Sequence, residues 1–253
     1  MRVTLRVTVI LLVVIGVTAA IARAVFTGDL AHRVQSVRLR LTDLRPYPEE
    51  ELAEVDNKFG NHRAITLLHV VPGGLFLLLA PLQFVPAIRN RYLRAHRRLG
   101  RVLIIAALIS GAAGLFFGFY RPIGGVREAV GIALFGVFLF VSAIRGYFAI
   151  RKGQVDVHRE WMIRAFATAL AISTVRMVVI AVDVARVWAN DPRAQFVLSI
   201  WSGWLITLAM AEIWIRYSRG RSSLDSSSQP SQGSPLRIPV PELPLISKDA
   251  STS

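Results

Sequence analysis

Apolar residues in this chain gather into long uninterrupted runs separated by short polar segments. Ala64–Ile88 and Val102–Tyr120 contain no Asp, Glu, Lys or Arg. Each reaches the roughly 17–25 residues that a helix needs to cross ~30 Å of hydrocarbon. The runs do not alternate between polar and apolar positions, so they do not read as strands of a closed barrel. Helices then remain as the backbone that satisfies its own N–H and C=O groups in lipid. The pattern predicts six spans, at about Val7–Ala24, Ala64–Ile88, Val102–Tyr120, Val130–Ile150, Met162–Val184 and Phe196–Tyr217. The expected fold is an all-α integral membrane protein, a six-helix transmembrane bundle.

The polar segments carry the orientation signal. Arg89, Arg91, Arg94, Arg97, Arg98 and Arg101 crowd the second connector, and Arg151, Lys152 and Arg159 the fourth. Arg2 and Arg6 precede the first span, and Arg216, Arg219 and Arg221 end the last. With six spans all four groups fall on one side, which the positive-inside rule makes cytoplasmic, with both termini inside. Trp161, Trp188 and Trp214 lie near span ends, as interfacial aromatics do. Residues 1–26 read as an anchor helix, although Arg2, Arg6 and Ala22-Arg23-Ala24 also resemble a cleavable signal peptide. Residues 27–63 form an outer loop, in which Leu30, Val34, Val37, Leu41 and Leu44 trace a helical stripe suited to lying on the membrane surface. Residues 64–217 are the five-helix core. The Ser- and Pro-rich segment 218–253 is expected to be a disordered cytoplasmic tail.

One sequence feature repeats. Ala87-Ile88-Arg89, six residues, then His96-Arg97 recurs as Ala149-Ile150-Arg151, six residues, then His158-Arg159. Each copy follows one apolar run and precedes the next. This predicts a parallel repeat of two helical hairpins, spans two–three and four–five, with His96 and His158 facing each other around an axis along the membrane normal. Arg97, Arg101, Arg159 and Arg164 surround them. At 1.5 Å per residue, Arg145 and Glu212 share a depth near the cytoplasmic side and are expected to form an ion pair between spans four and six. In the outer half, His69 lies about 8 Å below the edge and Arg176 about 9 Å, with Asp183 on the same helical face as Arg176 near the outer rim. They form a second candidate polar cluster, because intramembrane charge is costly and points to function or to a structural clamp. Gly111, Gly114 and Gly118 allow close helix approach, and Pro81 frees a backbone carbonyl.

Composition narrows the chemistry. The 253 residues are 53% hydrophobic and contain no cysteine, so thiolate metal sites, disulfides and Cys nucleophiles are excluded. The net charge of +14 resides mostly in Arg clusters between apolar runs. It therefore argues for anionic lipid head groups at the cytoplasmic face and against nucleic acid. No phosphate-binding glycine loop, serine elbow or HExxH spacing occurs. A membrane metallohydrolase would need three or four converging ligands, and His69 and Asp183 have no evident third.

From His69 to Arg176 the chain resembles a bacterial family of predicted multi-pass membrane proteins known only as a domain of unknown function. The likeness rests on His69, Pro81-Leu82-Gln83-Phe84, His96-Arg97-Arg98-Leu99-Gly100-Arg101, His158-Arg159-Glu160-Trp161-Met162-Ile163-Arg164, Arg176 and the Trp204–Glu212 stretch. Ala80 stands where the family usually has Gly. The resemblance implies fold, topology and a bacterial inner membrane, and brings no activity with it. A more distant likeness to cytochrome b561-type haem proteins is an analogy of fold. Two functional readings follow. The Arg–His ring binds an anionic ligand or small solute, in a transport-type protein small enough to need a homodimer. Alternatively His96 and His158 ligate the iron of a b-type haem, with Arg97, Arg98, Arg101, Arg159 and Arg164 meeting its propionates.

Overall fold

A computed structural model describes residues 2–25, 58–120, 122–185 and 191–227. The described elements are α1 (Arg2–Val25), α2 (Arg63–Gln83), α3 (Pro86–Arg91), α4 (Leu93–Phe119), α5 (Gly125–Arg151), α6 (Val155–Val184) and α7 (Pro192–Ser227). Among the described residues there is no strand. All but the short α3 are long and apolar enough to cross a membrane. The outer loop, with its amphipathic stripe, lies outside the described residues, as do 228–253.

Helix boundaries differ from the apolar runs in instructive ways. The second run does not continue as one helix to Ile88, because Pro86 disfavours helical geometry at the residue before it. Val85 is accordingly extended (φ −79°, ψ 115°), α2 stops at Gln83, and α3 begins with Pro86. Conversely, α4 and α6 start well before the apolar runs, at Leu93 and Val155. Arginine is a good helix former, so charge does not stop the helix even where it marks the hydrocarbon boundary. The last helix likewise passes Tyr217 and continues to Ser227, so the expected tail is helical at its start.

The compact unit covers Met1–Ile215; a second unit runs from Arg216. Within the first, α2 packs against α1 and α4, α4 against α5, and α5 against α6, which also touches α1 and α2. The α1–α2 pairing is antiparallel, with Gly16 beside Leu77, Ala20 beside Gly74, and Arg23 over the Phe59 ring. Trp204 Nε1 donates to Thr168 O at 3.0 Å and ties α7 to α6. Trp201 Nε1 reaches Arg127 O at 3.2 Å and ties α7 to α5. Helix α6 is the centre, with 44% of its apolar window buried against 6% for α1. Its Ala165, Ala167, Ala171 and Ser173 admit neighbours on several sides, as small residues do where helices associate in lipid. At the α6–α7 crossing a Cβ on Gly203 would meet the Val175 backbone at 2.8 Å.

Apolar positions divide between the interior and the outer surface. Phe76, Leu77, Ala80, Leu103, Ala107, Phe166 and Leu170 form a buried cluster, onto which Val9, Leu12, Val13 and Val17 of α1 pack. Leu68, Val71, Leu75 and Leu78, or Val130, Leu134 and Val137, are exposed at helical spacing. Such greasy outer stripes suit lipid rather than water. The α2–α4 and α5–α6 connections lie at one end, called here the connector end. The α4–α5 turn lies at the far end.

Candidate functional site

The connector end is built by two helix starts. His96 follows Leu93, Arg94 and Ala95 at the start of α4, and His158 follows Val155, Asp156 and Val157 at the start of α6. Their amides make the same first helical bond, His96 N to Tyr92 O at 3.0 Å and His158 N to Gln154 O at 2.9 Å. The two imidazoles lie within electrostatic reach of one another. Their side-chain bonding, however, is not the same. His158 Nδ1 donates to Gly146 O at 2.8 Å, leaving Nε2 as the lone-pair nitrogen. His96 Nδ1 is buried with no hydrogen-bond partner. The connectors explain the difference. Gly153 adopts φ +73°, where a side chain would strain, and closes a tight Lys152–Gln154 turn that folds the end of α5 back over α6. In the first hairpin α3 intervenes instead.

A residue that charge and repeat patterns passed over completes this layer. Gln83, at the last turn of α2, has both amide atoms buried without partners. Its Oε1 lies 3.6 Å from where a Cβ on Gly100 would stand, one turn beyond His96 on α4. Gln83 belongs to the Pro-Leu-Gln-Phe run, and a lone amide at the end of an apolar stretch was the available signal.

The arginines divide into engaged and exposed groups. Arg97 and Arg101 are exposed, with Arg101 Nε donating to Arg97 O at 3.3 Å. Arg159 is half-buried beside His158 and interacts with its surroundings. Arg164 is committed elsewhere: its Nε and Nη2 donate to Glu212 at 2.5 and 3.0 Å, and Glu160 lies 3.9 Å away. This corrects the expected Arg145–Glu212 pair. Arg145 instead stacks over Trp161 at 5.2 Å, and Arg164 stacks on the same indole at 4.8 Å. Equal depth put Arg145 and Glu212 on one level, but depth does not specify the direction a residue takes around its helix. Arg164, next to α7, takes the carboxylate.

The far end carries the second cluster. His69 Nδ1 donates to Ser110 O at 2.8 Å, and Ser110 Oγ donates back to His69 O at 2.6 Å. This reciprocal pair locks α2 to α4. Gly114 makes room for it, since a Cβ there would stand 2.9 Å from His69 Cε1. Gly118 and Gly111 instead face α5, against Ile132, Leu139 and Phe140. Arg176 lies within electrostatic reach of His69, and Nη1 donates to Ile172 O at 3.1 Å. Asp183 is in α6, but its side chain lies outside the described residues. Two polar groups absent from the expected cluster are Ser110 and His62, whose Nε2 is buried without a partner. Glu128, 2% exposed, accepts from Gly124 N at 2.7 Å with Lys58 nearby.

Chemically, the connector end offers paired imidazoles, an amide and guanidinium donors. Among the described residues no group of three or more His, Asp or Glu side chains is placed to hold a metal ion. The imidazole pair fits a two-ligand metal group at His158, whose Nδ1 contact is the kind that orients ligating histidines. At Arg164 the fit fails, because that guanidinium is already spent on Glu212.

No curated protein and no solved structure matches the chain. A family model described as "Predicted membrane protein (DUF2306)" matches residues 66–215, from α2 into α7, and takes in every site residue described above from His69 to Glu212. Matched over more than half its length, and with six helices among the described residues able to cross a bilayer, the chain belongs to this family of predicted membrane proteins.

Proposed function

We propose that the protein binds a small oxyanion, or the phosphate of an anionic head group, between the starts of α4 and α6. In this reading the connector end and both termini face the cytoplasm of a bacterium, and the bundle crosses its inner membrane. The supporting observation is a set of buried polar atoms without partners, His96 Nδ1 and the Gln83 amide, whose Nε2 is a donor, beside the oriented imidazole of His158. Buried polar groups are nearly always hydrogen-bonded, so an unmatched set invites a ligand. Two helix N-termini add partial positive charge at the same place. Arg97 and Arg101 supply full charges at the rim.

Ligand-dependent thermal unfolding tests this in a zwitterionic detergent. Adding inorganic phosphate, or phosphatidylglycerol in mixed micelles, at about 100 times Kd stabilises the folded state by about 2.7 kcal/mol. The stabilisation is expected to vanish in His96→Ala and to weaken in Arg97→Ala. Arg145→Ala retains it. Equal stabilisation of wild type, His96→Ala and His158→Ala would rule the site out.

A second reading, a b-type haem between His96 and His158, is favoured by the His158–Gly146 contact alone. A bound haem would supply one-electron redox chemistry, and Arg97, Arg101 and Arg159 would meet its propionates. Oxidised and reduced spectra of protein made with haem supplied decide it. The Soret band must be present in wild type and lost in both His96→Ala and His158→Ala.

A further inference from the structure

The far end holds a charge that the connector-end reading does not use. Arg176 sits within the apolar length of α6, and its hydrogen bond goes to its own helix, at Ile172 O. A carbonyl satisfies an N–H but leaves the positive charge uncompensated, which is expensive at membrane depth. Among the described residues, the groups whose charge or dipole bears on it are themselves basic or neutral. Arg23 of α1 and His69 of α2 both lie within electrostatic reach. Arg23 is placed by its stacking over Phe59 at 4.9 Å. His69 is held by the reciprocal bonds with Ser110, which present Nε2 as an acceptor.

Access to this group is lateral. Ile172 and Ile180, one turn before and one turn after Arg176, are 36% and 58% exposed. Closer to the connector end, Gly16 meets Ser173 and closes the α1–α6 seam. Beyond that crossing, the exposed side chains of Met177 and Ile180 flank Arg176. A soluble anion has no reason to enter there, whereas an acid carried on a hydrocarbon chain does.

We propose that Arg176, with His69 beside it, forms a second site that takes the head group of an amphiphilic oxyanion from the bilayer. The guanidinium fork matches two oxygens of a phosphate or carboxylate. With a phosphate, His69 Nε2 accepts the O–H of the monoprotonated head group; with either head group the acyl chain lies along Ile172 and Ile180. The site is independent of the His96–His158 pair and stands or falls separately.

Native mass spectrometry from nanodiscs of phosphatidylcholine tests it, with lysophosphatidate, oleate and inorganic phosphate as probes. One amphiphile should bind per chain, at least tenfold more weakly in Arg176→Gln and several-fold more weakly in His69→Gln. Lys152→Gln should bind as wild type. Arg176→Lys keeps the charge without the fork and should bind at an intermediate level, which separates lost recognition from lost folding. A preference for lysophosphatidate or oleate identifies phosphate or carboxylate as the head group. Unchanged binding in Arg176→Gln overturns the proposal, as does competition by inorganic phosphate at equal concentration. So does strong coupling of Arg176→Gln with Asp183→Asn in thermal unfolding without any amphiphile effect, because Asp183 would then be the counter-charge.

Discussion

Trp161 shows how much a single side chain decides. Its indole carries two guanidiniums, Arg145 and Arg164, and only Arg164 continues to the Glu212 carboxylate. Arg164→Ala and Glu212→Ala are therefore expected to couple by about 1 kcal/mol or more in a double-mutant cycle of unfolding in detergent. Arg145→Ala and Glu212→Ala should show no coupling. Trp161→Leu keeps apolar volume but removes the ring face, and is expected to cost about 1–2 kcal/mol through two cation–π contacts. Charged residues within spans were legible as needing partners because lipid excludes lone charges, so Arg164, Arg145 and Glu212 all announced themselves, although Arg145 is exposed. Their pairing did not, because depth comes from counting along a span while azimuth depends on which helices become neighbours. Gln83 and Ser110 were missed for a different reason. An uncharged polar residue inside an apolar run carries little signal until its partner, or lack of one, is known.

At the scale of elements, apolar runs located the six long helices but not where they begin. His96 and His158 were read as lying in connectors, and both lie in the opening turns of helices. That shift orders them, because a helical backbone fixes the direction of each side chain. Each imidazole stands on the fourth residue of its helix. The repeat pattern did not foresee that α3 would lengthen one connector while Gly153 tightened the other, giving only His158 a backbone carbonyl. Glycine spacing in α4 also meant more than packing. Gly114 accommodates an imidazole rather than a helix backbone, so Gly114→Leu is expected to push His69 off Ser110 and destabilise by about 1–3 kcal/mol. Thermal unfolding and loss of the His69 Nδ1–H hydrogen bond by NMR would check it. Gly203→Leu, against the Val175 backbone, should be at least as damaging and should separate α7 from α6.

For the whole molecule, topology is the testable quantity, and the absence of native cysteine makes it accessible. Single cysteines at Asn90 and Gln154 are expected to react with a membrane-impermeant maleimide from one side. One at Ile123 should react only from the other. Labelling of all three from the same side would contradict the six-span arrangement. If the positive-inside rule sets the orientation, Asn90 should react from the cytoplasmic side.

Chain order alone determined the number of long helices, the end at which basic residues collect and the levels at which polar groups lie. Those properties follow from one physical fact: hydrocarbon is about 30 Å thick and charges avoid it. Neighbour relations were decided only by the tertiary structure. The central place of α6, the transfer of Glu212 from Arg145 to Arg164, the locked His69–Ser110 pair and the unmatched Gln83 amide all depend on rotation about helix axes. Rotation is set by how small and large residues interlock between helices, and no single helix contains that information.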